Sequence, residues 1–574
     1  MAGGNCLDGG ASNPRRYRIR YSVYARCTQA ASSPIGRNSR AVPSCGVRHA
    51  CPSYLSENRA LRSARVSDCA KGSSAVKSRG RQWIDQTLTH IAIIFAMGGL
   101  WSCITSSGIK PEASMIEPTS LDVGDAIRAS ARSDAKWPSS EWWNGWNDGQ
   151  LDSLISRATS GSPTLAIVRS RVTAAVWEAR ALHANQLPEL DSSADIAHTR
   201  FSQNANPSPP GGETNWNNSV ALDLTYDLDI WGKNRAIEQG AQSKVHAAVA
   251  DEQFAKIELQ AAVARAYNAF ALQYALADIY AEINQEEKRN LEIAASRKSA
   301  GIDTDIDVTQ ARTQYQSGLA DIIRTRDGIE QSRLLIAYLV GEGPGFGASL
   351  QRPLPYGRFG SAVPASLPAE FIGHRPDIVA QRWRVTAASK EIDVAHADFY
   401  PNIDLVASAS LQSLVPFGGF FSFVNSDSFG HSVGIAASLP IFDAERRRGK
   451  YGVATAEYDD AVLKYNDAVL LAMREVAEQV TALRSLEDQE LSVDSAVESS
   501  KRSYELANSG YRGGVTEYLD VLVSQKIMLQ QQINLALVRS RQVDSWIALM
   551  KALGGGFDGD TGRSNMISGG SNAP

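Results

Sequence analysis

From Val220 to Ile230 the chain alternates without a break. Val220, Leu222, Leu224, Tyr226, Leu228 and Ile230 fall on one side, and Ala221, Asp223, Thr225, Asp227 and Asp229 fall on the other. A period of two predicts a strand with one apolar and one polar face. Two later runs repeat the pattern. Ile403, Leu405, Ala407, Ala409 and Leu411 alternate with Asn402, Asp404 and Ser408, and Val433, Ile435, Ala437, Leu439 and Ile441 alternate with Ser432, Gly434, Ala436 and Ser438. A fourth candidate, 190–201, alternates poorly. Elsewhere the spacing changes: Val469, Met473, Val476, Val480 and Leu483 step by 4, 3, 4, 3, and Phe254, Ile257, Ala261 and Ala264 step by 3, 4, 3. That is heptad spacing, with enough alanine for helices to pack closely.

These elements occur twice. "SPTLAIVRSRVTAAVWEARALHANQLPEL" (162–190) aligns with "RPDIVAQRWRVTAASKEIDVAHADFYPNI" (375–403) at an offset of 213, and "AGIDTDIDV" (300–308) aligns with "GGVTEYLDV" (513–521) at the same offset. Between them, "YDLDIWGKNR" (226–235) matches "ASLPIFDAER" (437–446) at an offset of 211. Three blocks in one order indicate a tandem duplication. Each copy reads as a helix (163–186 or 374–398), two strands, a very long helix (232–300 or 443–511), a glycine turn, and a returning helix that ends near 340 or 553. The long helix is on the order of 100 Å at ~1.5 Å per residue. The turns fall at Gly301 and at Gly513-Gly514, where the chain must reverse and glycine accepts a positive φ.

Charge separates the beginning of the chain from the rest. Residues 1–102 carry 15 Lys+Arg and 4 Asp+Glu, against 43 and 58 in the remainder. All six cysteines, Cys6, Cys27, Cys45, Cys51, Cys69 and Cys103, lie in or just after this stretch, and their spacing suggests no metal site. Residues 1–75 show no periodicity and are expected to hold no folded core, as an extension ahead of a later start at Val76. Residues 76–102 then read as an export signal. Lys77, Arg79 and Arg81 precede the apolar run Ile91–Trp101, which is too short to span a bilayer as a helix. It ends at Leu100-Trp101-Ser102-Cys103, the pattern of a bacterial lipobox, so Cys103 is the expected site of a diacylglycerol and an N-acyl chain. Ile104 in place of an aspartate predicts sorting to the outer membrane. No other cofactor is expected.

An exported, lipidated chain with two-faced strands and no 18-residue apolar run must cross a membrane, if it does so, as strands. The cleaner runs are close to the ~9–11 residues that cross a bilayer in a barrel. Four strands in lipid would leave two unpaired edges, so the barrel must close between subunits. Two copies give eight strands, which side chains roughly fill, and three give twelve, enough for a lumen. Asp223, Asp227 and Asp229, on the polar side, are the candidate lumen carboxylates.

At this point the chain resembles the TolC-like outer membrane factors, in their lipoprotein branch. The likeness covers about 100–556 and is carried by Cys103, "WW" (142–143) with "DGQLDSLI" (148–155), "HRPDI" (374–378), "YPNI" (400–403), "SLPIF" (438–442), "YRGGVTEYLDVL" (511–522) and "KALGGG" (551–556). The resemblance implies a homotrimer with a twelve-stranded outer-membrane barrel and a helical coiled-coil tunnel across the periplasm. Its closed tip would dock a periplasmic adaptor and an inner-membrane pump. It implies domains at 103–160 (lipidated segment), 161–345 (first repeat), 346–372 (linker), 373–556 (second repeat) and 557–574 (tail). It also implies a gate. Tyr511 matches a tyrosine that helps hold the closed state. Asp520, and Asp307 at the equivalent place in the first copy, are candidate acidic residues of the constriction. Val523 stands where many relatives carry an aspartate. Leu519 and Val523, four apart, share a helix face.

Catalytic readings fail. "GEGPGFG" (341–347) follows a helix and has no Lys-Ser/Thr behind it, so it reads as a helix stop. His374 and Asp377 of "HRPD" lack a nucleophile, and Asp377 reads as helix-start chemistry. Trp142, Trp143 and Trp146 are expected to pack the N-terminal segment against helices. The chain is read as a passive exit duct for efflux, not as an enzyme, with outer-membrane lipid and no nucleic acid among its partners. An exit duct for type I protein or oligosaccharide secretion, or a periplasmic coiled-coil adaptor, are the alternatives.

Overall fold

The computed structural model describes residues 106–205, 211–354, 360–365, 373–413, 419–421 and 423–557. Cys103, the extension 1–75, the export signal 76–102 and the tail after Phe557 lie outside them. The elements are α1 (Gly124–Ser130), β1 (Ala131–Arg132), α2 (Gly149–Gly161), α3 (Pro163–His183), β2 (Glu189–Arg200), β3 (Thr214–Asp227), α4 (Lys233–Ser299), α5 (Asp305–Val340), β4 (Val363–Pro364), α6 (Pro376–Ala397), β5 (Asn402–Ser413), β6 (Phe429–Ser438), α7 (Arg446–Gly513) and α8 (Tyr518–Ala552). The first residues of α3 and α6, β2 and β5, α4 and α7, and α5 and α8 are each 213 positions apart. The duplication is therefore kept residue by residue at the start of each paired helix.

Local chemistry explains these boundaries. Helices α3 and α6 begin on Pro163 and Pro376, where the missing N–H costs nothing. Helices α5 and α8 begin on capping boxes, Thr304 with Asp307 and Glu517 with Asp520. The tip turns pass through Gly301 (φ 75°) and Gly514 (φ 76°). Gly513, expected in the turn, is instead the last residue of α7, because the left-handed position falls one residue later.

The helices wrap a shared core. Helix α4 packs against α3, α5 and α6, and α7 packs against α6 and α8, with α8 also meeting α4. The heptad residues Val469, Val476, Val480 and Leu483 are fully buried, and Ile257, Ala261 and Ala264 in α4 are buried. Trp142, Trp143 and Trp146 join the same core. Trp142 meets Trp546 edge-on at 5.6 Å, and the Trp146 ring lies 6.2 Å from that of Tyr267. Among the described residues no helix is long and apolar enough to cross a membrane.

The four long strands form one antiparallel sheet in the order β2-β3-β5-β6. The poorly alternating run near 190–201 is a full strand, because its ladder to β3 is unbroken. Strand β3 runs from Thr214 and stops at Asp227, short of the predicted end at Ile230. The Asp227 carboxylate accepts the Asp229 N–H at 2.8 Å and turns the chain, and Asp229 has φ 42°. Asp229 is thus no longer a strand residue. Strand β6 likewise stops at Ser438, before Leu439 and Ile441, since Pro440 has no N–H for a ladder.

Candidate functional site

The register gives the sheet two unlike faces. On one, Leu222, Leu224, Leu405, Leu411, Val433 and Ile435 lie in matching rows, with Val433 76% and Ile435 72% exposed. On the other lie Glu189, Asp191, Asp195, Asp223, Asp227 and Asp404, with no Lys or Arg on that face of the four strands. Asp191 stands directly opposite Asp223, and Asp227 opposite Asp404. Like charges in such pairs oppose sheet formation, so this surface is not arranged for stability. The acids on β2 and β5 were missed in the sequence because 190–201 alternates poorly and because Asp404 shows its partner only once β3 and β5 are paired.

Asp229 does different work. Its oxygens accept the N–H groups of Asn234 (2.9 Å) and Arg235 (3.0 Å), and the Arg235 guanidinium closes on it at 3.2 Å. The carboxylate is spent on the first turn of α4, where the free N–H groups and the dipole favour an anion. Asp227, although on the acidic face, also accepts from the Asn234 amide at 3.0 Å.

At the far end of the long helices the two turns are tied together. The buried Tyr511 donates its hydroxyl proton to Asp303, which follows the first turn. Arg297, in the last turn of α4, pairs with Asp303 at 3.0 Å and donates to the Tyr511 carbonyl oxygen at 2.9 Å. Burial first, and then the Asp303 carboxylate, push the Tyr511 hydroxyl pKa far up, so it remains a donor. Arg297 and Asp303 were not singled out in the sequence; no local pattern shows that their partner lies some two hundred residues away.

The other tip residues face away from this tie. Leu519 and Val523 are 56% and 51% exposed, with Asp520 exposed between them. Asp520 accepts the Glu517 N–H at 3.3 Å. Asp307 accepts the Thr304 hydroxyl (2.7 Å) and N–H (2.9 Å), which hold its carboxyl below the usual carboxylate range. Both aspartates therefore serve helix starts while remaining open to solvent.

Two further sequence motifs explain each other. Arg375 of "HRPDI" is buried and pairs with Asp377 (2.6 Å), Glu475 (2.8 Å) and the Ala552 carbonyl (3.1 Å) of "KALGGG". His374 stacks on Trp137 at 4.2 Å, and its ring nitrogen is 3.0 Å from the Phe557 carbonyl oxygen. Both side chains are engaged in contacts that fasten the start of α6. Among the described residues no group of three or more His, Cys, Asp or Glu could hold a metal ion.

The segment that follows Cys103 runs along α7. Arg448 donates to the Ser107 carbonyl at 3.3 Å, Asp459 accepts from the N–H groups of Glu112 and Ala113, and Asn466 accepts from that of Ile116. The segment thus starts beside the sheet end of α7 and runs toward the tips.

Comparison with known proteins gives a consistent picture. A sequence model of a family described as outer membrane efflux protein matches residues 154–342 and 367–555, two matches displaced by 213 residues. The fusaric acid resistance protein FusA of Burkholderia cepacia is 36% identical over 372 residues, 64% of this chain and 69% of that protein. The multidrug resistance outer membrane protein MdtP of Escherichia coli K12 is 28% identical over 451 residues, covering 77% and 91%. The crystal structure of the outer membrane protein VceC from Vibrio cholerae superposes with a TM-score of 0.67 at 32% identity, over 74% of this chain and all of that one. The Campylobacter jejuni CmeC outer membrane channel, at 20% identity and a TM-score of 0.69, shares the fold.

Proposed function

The chain belongs to the outer membrane efflux protein family, and from that premise we propose that it is the exit duct of a tripartite efflux system, built as a homotrimer. The observation that carries the assembly is the four-stranded sheet. Its edges, β2 and β6, have no partner strand among the described residues, while its exposed apolar face suits lipid. Three copies would close a twelve-stranded barrel with the acidic face inward and the helices continuing as a tunnel. Eighteen carboxylates on that face would favour cations in the lumen. The helical tips, with Leu519, Asp520 and Val523 exposed, would form the constriction and meet a periplasmic adaptor and its inner-membrane pump.

Lipid on Cys103 would anchor the same end. Ser107 is held near the start of α7, by the sheet, and four residues of chain reach at most ~14 Å. That reach keeps an acyl chain on Cys103 near the membrane if the barrel spans it. Mass spectrometry of the native N-terminus tests this, and an unmodified Cys103 would refute it.

Purified protein in detergent should run as a trimer by native mass spectrometry and form channels in planar bilayers. A monomer without conductance would sink the duct. Deleting the gene and profiling sensitivity to drugs, metals, solvents and weak aromatic acids identifies the cargo. The last class is included because a relative confers fusaric acid resistance by name. A defect confined to protein or polysaccharide export would instead favour a secretion duct.

A further inference from the structure

Where the sheet meets the long helices, the turns 228–232, 398–401 and 439–445 enclose a cleft of about 260 Å³. Asp227, Asn402 and Ser438 line it from the acidic face of the sheet, and Ile403 closes it from the other face at the strand end. Helix phase agrees. At about 100° per residue, the lining residues Arg446, Arg447 and Lys450 fall within one quadrant or so of α7. Arg448, Asp459 and Asn466, which hold the N-terminal segment, lie roughly on the opposite side. The cleft therefore opens on the side that becomes the lumen, a placement that rests on the duct reading.

Most of its charges are already committed. Lys233 pairs with Asp398 at 2.6 Å and Arg447 with Asp443 at 2.7 Å, and Asp229 is taken by the start of α4. Both oxygens of Asp227 accept hydrogen bonds. Four acids and four bases line the cleft, and two of the bases are loosely held. Lys450 reaches the shared Asp398 only at 3.6 Å, and the exposed Arg446 guanidinium feels Asp443 at longer range without a close salt bridge to it. Beside them stands a fixed aromatic wall. Trp231 and Tyr400 stack at 4.6 Å and are 47% and 41% exposed, and the Trp231 indole N–H is anchored on the Pro401 carbonyl at 2.8 Å.

We propose that this cleft binds small aromatic carboxylates. A flat ring would lie against the Trp231–Tyr400 wall, and its carboxylate would take Arg446 and Lys450. Inorganic anions would leave the aromatic surface unused, and metal cations would find the carboxylates engaged. The volume admits a molecule of about one ring, below the ~300 Å³ at which drug-sized pockets begin. The guanidinium supplies a planar, two-pronged donor that matches a carboxylate. In a trimer three such stations would stand at the neck between tunnel and barrel.

Titration calorimetry of sodium benzoate into the solubilised protein tests the site without requiring a channel, with sodium acetate as the control. Benzoate should bind and acetate should not. Arg446→Gln, on an exposed side chain, and Trp231→Leu should each weaken benzoate binding about fivefold or more, as loss of one polar or stacking contact predicts. No benzoate binding, or binding unchanged in Arg446→Gln, overturns the proposal. Planar-bilayer recordings separate it from the duct reading. Benzoate that binds to a protein without conductance defeats the duct and leaves the site. Channels whose benzoate block is the same in both variants defeat the site and leave the duct.

Discussion

The guanidinium of Arg297 lies over the ring of Tyr511, 4.5 Å from its centroid, while its side chain also pairs with Asp303. One arginine thus joins the end of α4, the first tip turn and the end of α7. Tyr511→Phe removes only the hydroxyl donor, and the loss of a hydrogen bond to a charged group should cost about 1.5–3 kcal/mol. Resting single-channel conductance should rise, and the rise should be larger in Arg297→Met, which removes the pair and the cation–ring contact together. Unchanged conductance in both variants would mean that this tie does not restrain the tip.

A second prediction concerns pH. Glu287 is 2% exposed and accepts from Asn284 and Gln314, both at 2.9 Å, with no cation paired to it among the described residues. The other nearby ionisable groups are Asp321 on α5, Tyr504 on α7 and Tyr518 on α8. By contrast Glu490, buried in the second copy, pairs with Arg539 at 2.9 Å. Burial is the main cause that raises the Glu287 carboxyl above its ordinary value. A raised folded pKa gives stability at acid pH that is lost as pH rises through that value. Wild-type protein should therefore lose thermal stability relative to Glu287→Gln as pH rises from the ordinary glutamate range through the raised value. Parallel profiles for the two proteins would reject this assignment.

The same carboxylate demands a glycine. A Cβ on Gly318 would stand 2.2 Å from the Glu287 oxygen and 2.5 Å from the Asn284 amide nitrogen. Gly318→Ala should destabilise by about 1–3 kcal/mol. In a double-mutant cycle, Glu287→Ala should recover part of that loss. Strict additivity of the two unfolding energies would show that the contact is not the cause.

Lumen charge is separable from corner chemistry. Replacing Asp191, Asp223 and Asp404 by Asn should move the reversal potential in a salt gradient toward zero while leaving stability unchanged or improved, since each belongs to a like-charge pair. Asp229→Asn should have the reverse profile, with selectivity kept and stability lowered by about 1 kcal/mol through the α4 N-terminus. Anion preference that survives the triple substitution would remove the acidic lumen from the account.

The second strand-to-helix corner puts two non-glycine residues in the left-handed region, where the first puts only Asp229. Ala444 (φ 51°) and Glu445 (φ 65°) adopt the left-handed region, where the first copy uses Gly232 (φ 74°) just before its helix. For an L-residue this costs roughly 1–2 kcal/mol, part of which glycine gives back in unfolded-chain entropy. Glu445→Gly should raise the thermal midpoint slightly, by about 0.5–1 kcal/mol of stability. A lowered midpoint would show that the Glu445 side chain has a role beyond the turn.

Much of this architecture is readable in residue order, because the periodicities of two and of heptads survive in Val220–Tyr226 and Val469–Leu483, and because the duplicated blocks fix the repeat length. What escapes the sequence depends on pairing at a distance. The strand ends move because one aspartate hydrogen-bonds its own backbone and one proline lacks a donor, effects that alternation does not register. The Arg297–Asp303–Tyr511 tie joins residues from both copies, and the Arg375 knot joins "HRPDI" to "KALGGG"; each is visible only once α4, α7 and α8 lie side by side.

The tie also breaks the equivalence that the duplication created. At the repeat distance of 213, the counterparts of Arg297, Asp303 and Tyr511 are Gly510, Thr516 and Lys298, and the Thr516 hydroxyl donates to the Ala507 carbonyl of the preceding helix, at 3.0 Å. Two hairpins cast from one mould are thus fastened to each other by a clasp with a single orientation. Around a threefold axis such hairpins would alternate between a clasped gap and an unclasped one. The ring would look sixfold in outline and yield as a threefold object, each subunit swinging as a pair of leaves on the seam where no clasp was inherited.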